Sequence, residues 1–182
     1  MISQNENEVV NYVENENELN INAITGDGKS TIVPYKYLAE MCLFIKDTFE
    51  DMTEQSGIYK LDIKTVEDAE LFRGIYEYCK YHHNNKAKKL EKPLKDGNLK
   101  SYVSEWDYDF ITKFGNFNRL GKLATATNYL NCQDLLHLTC AKMASFIPGK
   151  TIEELRELFG VENDFTPEEE EKIRKENAWI DN

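Results

Sequence analysis

The segment from Gln133 to Ile147 places the strongest constraint on the fold, because its apolar residues surround most of a helix. One arc of that helix holds Leu135, Leu138 and Ala141. The second arc, in steps of three and four residues, holds Leu136, Cys140, Met143 and Ile147. A helix with two apolar arcs must be covered on two sides. The domain itself can cover one arc; the second needs either more of this chain or another protein, and the spacing favours neither.

The residues before this segment predict a small sheet and several helices. Apolar runs at 19–24 and 29–33 flank Gly26-Asp27-Gly28, which predicts a hairpin, and residues 58–63 predict a third strand. A helix over 65–81 is predicted from an apolar stripe formed by Val66, Ala69, Phe72, Ile75, Tyr76 and Cys79. Further helices are predicted at 35–50, 106–114, 117–130, 132–147, 151–159 and 167–178, the last two capped by Thr151 and Thr166. A few strands followed by many helices indicate an α+β fold.

The acidic charge of the chain is concentrated at its two ends. The net charge is −11, of which residues 1–20 contribute −5 and residues 150–182 contribute −6. Residues 1–18 are rich in Asn and Glu and have too little apolar surface to offset the entropy of ordering, so we predict a mobile acidic tail. Residues 84–104 hold six lysines without a sustained period and predict a variable loop. The main domain is therefore expected at 19–147, followed by two helices within 148–182.

Composition excludes several classes of function. The negative charge disfavours nucleic acid as a partner, since phosphate would repel it. No run of 18 apolar residues occurs, and residues 1–20 lack the pattern of a secretory signal, so neither a membrane span nor export is expected. The four cysteines contain no C-x-x-C pair, which predicts reduced, mostly buried thiols in a cytoplasmic and nuclear protein.

The strongest catalytic candidate is Gly28-Lys29-Ser30, which matches the end of a phosphate-binding P-loop. The full pattern needs a glycine where this chain has Ala23, and a helix directly after the lysine, where Thr31 to Pro34 predict a strand. A P-loop nucleotidase is therefore only a remote alternative. No His or Cys cluster has zinc spacing, and adjacent His82 and His83 would point about 100° apart on a helix. We expect no catalytic residue, metal or cofactor.

The C-terminal part of the chain resembles the Skp1 family. The matching signature consists of Gly149-Lys150-Thr151, then Asn163-Asp164-Phe165-Thr166-Pro167, then Ile173-Arg174-Lys175-Glu176-Asn177 with Trp179. Earlier matches are Tyr76-Glu77-Tyr78-Cys79-Lys80 with His82-His83, Trp106-Asp107 with Asp109-Phe110, and Asn128-Tyr129-Leu130. The resemblance covers roughly residues 19 to 179, and its C-terminal motif is long and specific.

This resemblance implies a BTB/POZ-like α+β domain followed by two additional helices. It also implies a non-catalytic adaptor of a cullin-based SCF ubiquitin ligase, which links F-box substrate receptors to a cullin. Carried over from the family, the cullin side includes Asn128 and Tyr129. The F-box side includes Leu136, Cys140, Met143, Ile147, Val161, Asn163, Asp164, Phe165, Ile173, Asn177 and Trp179. An alternative is an F-box-binding structural subunit outside the ligase, for example in a kinetochore scaffold.

Two positions depart from the family before Asn128. Members usually show Leu-Phe-Glu-Leu-Ile-Leu-Ala-Ala there, whereas this chain has Gly121 and Thr125 at two of the bulky positions. If those positions are packed, each change forfeits roughly 1–3 kcal/mol of burial, so weaker binding of a typical cullin is expected. Pro167 lies where some protist members carry a hydroxylated, glycosylated proline. Its position favours the simpler interpretation, an ordinary proline at the first position of a helix.

Overall fold

A four-stranded sheet begins the fold in the computed structural model, which describes residues 9–51, 56–90, 94 and 97–177. The strands are β1 Val9–Asn11, β2 Leu19–Ile24, β3 Ser30–Pro34 and β4 Gly57–Asp62, in the order β1-β3-β2-β4. β2 and β3 pair antiparallel, while β1 runs parallel to β3 and β4 parallel to β2. The predicted hairpin and third strand are confirmed.

The turn between β2 and β3 is held by side-chain and backbone hydrogen bonds. The Thr25 hydroxyl donates to Asp27 Oδ1 at 2.6 Å, and the Lys29 N–H donates to the same oxygen at 3.2 Å. Gly28 has a φ of +78°, a conformation that favours glycine. Because β3 starts at Ser30, the residues Gly28-Lys29-Ser30 form a hairpin turn and a strand start, not the helix N-terminus that a P-loop requires.

The other regular elements of the described chain are helices. They are α1 Tyr35–Ala39, α2 Leu43–Phe49, α3 Ala69–Asn84, α4 Glu105–Thr112, α5 Phe117–Tyr129, α6 Gln133–Ala144, α7 Ile152–Phe159 and α8 Pro167–Glu176, with a 3-10 turn at Leu99–Ser101. The predicted α+β class is confirmed. None of the helices in the described ranges is both long and apolar enough to cross a membrane.

The chain divides into two compact units, with the boundary between Phe146 and Ile147. The first unit holds the sheet and helices α1 to α6, and the second holds α7 and α8.

Helix α3 lies at the centre of the first unit. It contacts β3, α1 and α5, and its fully buried side chains include Leu71, Phe72 and Ile75. The Tyr78 ring lies 5.5 Å from that of Phe110 in α4. Burial of each large apolar side chain contributes roughly 1.5–3 kcal/mol, so this helix organises much of the core. α3 begins at Ala69 because Asp68 caps it by accepting a hydrogen bond from the Leu71 N–H.

The two adjacent histidines at the end of α3 have different partners. His82 is buried and its Nε2 lies 2.8 Å from Asp107 Oδ1, while its Nδ1 lies 2.6 Å from the Asn85 carbonyl oxygen. Burial opposes the charged imidazole, but these hydrogen bonds outweigh it and raise the pKa of His82. His83 Nδ1 lies 2.9 Å from Glu40 Oε2. The two histidines therefore contact different neighbours, as expected of adjacent positions on a helix.

Residues 9–18, part of the segment predicted to be a mobile tail over 1–18, contain a strand and polar contacts. Val9–Asn11 form the edge strand β1, and Glu14 accepts hydrogen bonds from the Tyr37 hydroxyl and the Lys80 ammonium, each at 2.6 Å. The hydrogen bond from Lys80 is the main cause that lowers the pKa of the Glu14 carboxyl. A short strand and polar contacts secure this segment although it has little apolar surface. Residues 1–8 lie outside the described ranges.

Residues 35–50 form two helices where the sequence predicted one. The N–H groups of Met41 and Cys42 both donate to the Leu38 carbonyl, and Cys42 is extended at φ −110°, ψ 94°. The break separates α1 from α2, and both helices bury apolar side chains. The predicted loop at 84–104 is also partly anchored, because Leu99 and Val103 are buried; residues 91–93, 95 and 96 lie outside the described ranges.

Gly26 in the turn after β2 and Gly121 in α5 give a paired test of how closely the chain packs around each glycine. A Cβ on Gly26 would stand 2.8 Å from the Lys64 carbonyl oxygen and 2.9 Å from that of Glu67. Gly26→Ala should therefore lower the free energy of unfolding by about 1–3 kcal/mol. A Cβ on Gly121 would have Met143 Cε, at 4.0 Å, as its nearest neighbour outside the helix. Gly121→Ala should raise the same free energy by about 0.5–1 kcal/mol.

Urea denaturation of the two variants beside the unchanged chain measures both shifts. A Gly26→Ala protein as stable as the parent would contradict the close approach of the turn to residues 64–67.

Candidate partner-binding surface

Helix α6 is buried on one of its two apolar arcs by the domain that carries it. Leu135, Leu138 and Ala141 are buried, and α6 packs on α5 and α4. The helix starts after Cys132 and ends at Ala144, where the Ser145 N–H donates to the carbonyls of Ala141 and Lys142. The domain thus covers one arc, as the sequence required.

The other arc of α6 faces outward. Leu136 and Met143 are half-buried and Cys140 is exposed; we call these three residues the outer arc. Met143 packs against the edge of the core with part of its side chain. Ile147, which the sequence placed on the same arc, follows the end of α6 in the second unit and is 40% exposed. The predicted helix over 132–147 is therefore three residues shorter at its C-terminal end.

The two helices of the second unit begin as predicted. Thr151 caps α7 and Thr166 caps α8, and each is paired with a glutamate three residues later in a reciprocal capping box. Pro167 occupies the first turn of α8, where its missing N–H costs no hydrogen bond. α7 ends at Gly160, whose φ of +65° is left-handed and favours glycine. Local sequence signals therefore specify both helices.

Polar contacts tie α7 to α8 within the second unit. Glu170 accepts a hydrogen bond from Arg156 Nη1 at 3.2 Å and one from Asn163 Nδ2 at 2.9 Å. Asn163 Oδ1 in turn accepts from the Phe165 N–H at 3.2 Å. The predicted site residue Asn163 thus shapes the link between the helices, and Asn177 Nδ2 donates to the Ile173 carbonyl at 2.9 Å at the end of α8.

The second unit leaves most of its large apolar side chains exposed. Neither α7 nor α8 contains a buried residue. The exposed side chains, which we call the second-unit apolar set, are Ile152, Phe159, Val161, Phe165 and Ile173. Asp164, also predicted to be a site residue, is exposed as well. Trp179 lies outside the described residues. Exposed apolar groups gathered on one small unit are typical of a protein-interaction surface.

A further candidate surface lies where α5 meets the start of α2. Asn128 is exposed, and the half-buried Tyr129 ring lies 4.9 Å from the ring of Phe44. The N–H groups of Leu43 and Phe44 donate to the carbonyls of Asn131 and Leu130, which fixes α2 against the turn after α5. Leu43 and Phe44 were not among the predicted site residues, although Leu43 is a large apolar side chain that is 46% exposed.

Gly121 and Thr125, the two positions that depart from the usual family sequence, lie outside the core. Thr125 is exposed and its hydroxyl donates to the Gly121 carbonyl at 3.1 Å, and Gly121 itself is half-buried. Neither residue lies in the core. The free chain therefore does not lose the burial energy that was expected if these positions were packed. The apolar area missing at these two positions therefore affects an interface rather than the core, and the helix cost of Gly121 is a separate effect on folding.

Three cysteines that the sequence separates widely come together in the core. Cys42 and Cys132 precede α2 and α6, and Cys79 lies within α3. Their sulfur atoms all lie within 4.8 Å of one another, and all three residues are buried, as predicted for most of the thiols. Hydrogen bonds from the other two thiols lower the pKa of Cys132, whereas the hydrogen bonds with Cys132 raise those of Cys42 and Cys79. Spacing rules missed this cluster because its members come from three separate elements.

The outer arc and the described part of the second unit both fall within the region that matches a known protein family. Residues 133–180 match a family model described as Skp1 family, dimerisation domain. The chain is 39% identical over 144 residues to the S-phase kinase-associated protein 1 homolog of Tetrahymena thermophila, covering 79% of this chain and 84% of the relative. The chain belongs to the Skp1 family.

Other members of the Skp1 family are named for a ubiquitin ligase complex. The SCF ubiquitin ligase complex protein SKP1a of Dictyostelium discoideum is 38% identical over 151 residues, which is 80% of this chain and 86% of the relative. The E3 ubiquitin ligase complex SCF subunit sconC of Emericella nidulans is 34% identical over 157 residues, which is 86% and 93%. The resemblance found in the sequence is confirmed.

The contact between α7 and α8 can be tested through Glu170. Glu170→Ala removes the acceptor that Arg156 and Asn163 share, so the amides of both helices should exchange with solvent deuterium faster. Glu168→Ala, which also removes one negative charge from the first turn of α8, is the matched control and should change exchange in α7 little. Hydrogen exchange read by mass spectrometry distinguishes the two, and equal exchange in both variants would show that Glu170 does not join the helices.

Proposed function

We propose that this Skp1-family chain is a non-catalytic adaptor of an SCF-type ubiquitin ligase in the cytoplasm and nucleus, where it links F-box proteins to a cullin. Family membership and the SCF names of its relatives support the complex. The observation that carries the F-box part is the outer arc of α6, which stays outward while the opposite arc is buried. That arc and the second-unit apolar set both fall inside the family match at 133–180.

The chemistry of these surfaces suits a helical partner. Outer-arc residues recur at steps of four and three along α6, so a neighbouring helix can pack its own apolar ridge along them. Each square ångström of apolar surface removed from water contributes about 25 cal/mol, so aromatic and aliphatic side chains supply most of the driving force. Phe165 and Phe159, at 48% and 52% exposure, are the largest apolar side chains among the described residues of the second unit. An F-box, as a set of short amphipathic helices, is the proposed occupant.

The cullin contact is proposed for the end of α5. Asn128 offers an amide donor and acceptor, and Tyr129 with Phe44 offers a fixed aromatic face. Aromatic side chains beside polar groups are frequent anchors of protein interfaces. The family's bulky side chains are absent at Gly121 and Thr125, so this interface has less apolar area than that of a member with the usual sequence.

The F-box surface is tested by placing a charge on the outer arc. Met143→Glu puts a carboxylate into the proposed interface, and F-box affinity should fall about 30-fold or more, which corresponds to about 2 kcal/mol. Phe165→Ala in the second unit should weaken binding in the same direction. Ile58→Glu is the matched control, because Ile58 is an exposed apolar residue on β4 that belongs to neither proposed surface.

Affinities are measured by titration calorimetry with a recombinant F-box protein, and thermal unfolding confirms that each variant folds. If Met143→Glu and Ile58→Glu bind the F-box protein equally well, the outer arc is not the interface.

The cullin contact is tested by restoring the family's side chains. The double change Gly121→Phe and Thr125→Leu should increase the amount of cullin that co-purifies with the chain, because it returns apolar side chains to a half-buried and an exposed position of α5. Asn128→Ala with Tyr129→Ala should reduce it. Recovery of F-box proteins without any cullin, from both the parent and the restored chain, would contradict the ligase assignment and favour a structural subunit outside the ligase.

A further inference from the structure

The buried cysteine cluster has the geometry of a small metal site. The sulfur atoms of Cys42 and Cys79 are 3.8 Å apart, and all three sulfurs lie within 4.8 Å of one another. With metal–sulfur bonds of about 2.3 Å, three sulfurs around one ion stand about 4 Å apart. The observed spacing therefore lies within about 1 Å of what a shared ion requires.

The number and type of the ligands select the ion. In the described part of the chain this group has three members, all sulfur, and none of the three side chains is exposed to water. A structural zinc ion almost always takes four ligands, so it would lack one here. Soft thiolates favour Cu(I), a closed-shell ion for which three sulfur ligands suffice.

The elements that carry the cysteines hold the site in place and partly compensate the negative charge of its thiolates. Cys79 is held in the middle of the central helix α3, which cannot move without disturbing the core. Cys132 is the N-cap of α6, a helix of 12 residues, so its sulfur lies at the positive end of the helix dipole. That placement favours the thiolate form that a metal ion requires.

A disulfide would involve only two of the three cysteines in the cluster. A disulfide joins two sulfurs at about 2.05 Å, whereas Cys42 and Cys79 stand 3.8 Å apart, and the third thiol would take no part. One ion at the centre engages all three sulfurs and leaves the surrounding elements in place. It also leaves Cys140 out, because that residue is exposed on the outer arc of α6.

We propose that Cys42, Cys79 and Cys132 form a site for one Cu(I) ion coordinated by three sulfur atoms. When Cu(I) binds, the thiols that become thiolates release their protons to solvent. The oxidation states of copper and sulfur do not change. Because the site is closed to solvent, the ion enters during folding or through local opening of the core.

The test offers Cu(I) to the full chain, reduced and free of oxygen, both when folded and during refolding. The ion is supplied as its complex with bicinchoninate, whose colour reports how much copper the protein removes. The unchanged chain and Cys140→Ser should each retain one Cu(I). Cys42→Ala and Cys132→Ala should lose affinity by about 100-fold or more, since even loss of an outer-shell partner costs 10- to 100-fold.

X-ray absorption at the copper edge of the unchanged chain gives a second measurement that does not depend on any variant folding. It should show three sulfur neighbours and no nitrogen or oxygen ligand. The proposal is overturned if the chain removes no copper, if Cys42→Ala and Cys132→Ala retain it as well as Cys140→Ser does, or if fewer than three sulfurs surround the ion. Zn(II) offered in parallel should not be retained; tight zinc binding with a nitrogen or oxygen ligand would overturn the choice of Cu(I).

Discussion

Burial of α3 on more than one side is the constraint on which the first unit depends. The helix packs against β3 and α1 and also against α5, and Tyr78 and His82 reach the residues of α4. Because these contacts fix α4 and α5, they also fix α6, which packs on both. The outward direction of Leu136, Cys140 and Met143 is thus a consequence of how the core is filled, and it needs no partner to be established.

The same arrangement explains why one helix serves both folding and binding. The inner arc of α6 contributes to the core, so the helix is ordered before any partner arrives and little entropy is lost when the outer arc is covered. The second unit relies more on capping boxes and the Glu170 contacts, since no residue of α7 or α8 is fully buried. Of the two surfaces proposed to bind an F-box, the outer arc is held in place by the core, and the second-unit apolar set is carried by helices that local signals specify.

Local sequence signals predicted the elements that depend on local chemistry. The hairpin followed from Gly26-Asp27-Gly28, and the starts of α7 and α8 from Thr151 and Thr166. Strand β1 was missed because it has only three residues and is held by pairing with β3, a contact that no local pattern encodes. The break at Cys42 and the cysteine cluster were missed for a related reason, since both arise from how distant elements pack. Family resemblance supplied the partner classes, which spacing alone left open.

The central claim, that the outer arc of α6 is free in the isolated chain and covered by an F-box, is tested most directly at Cys140. This cysteine is exposed on that arc, while Cys42, Cys79 and Cys132 are buried and serve as internal references. Alkylation by iodoacetamide, followed residue by residue with mass spectrometry, should be fast at Cys140 in the free chain and much slower with excess F-box protein. An alkylation rate at Cys140 that is the same in the free and the bound chain would contradict the account.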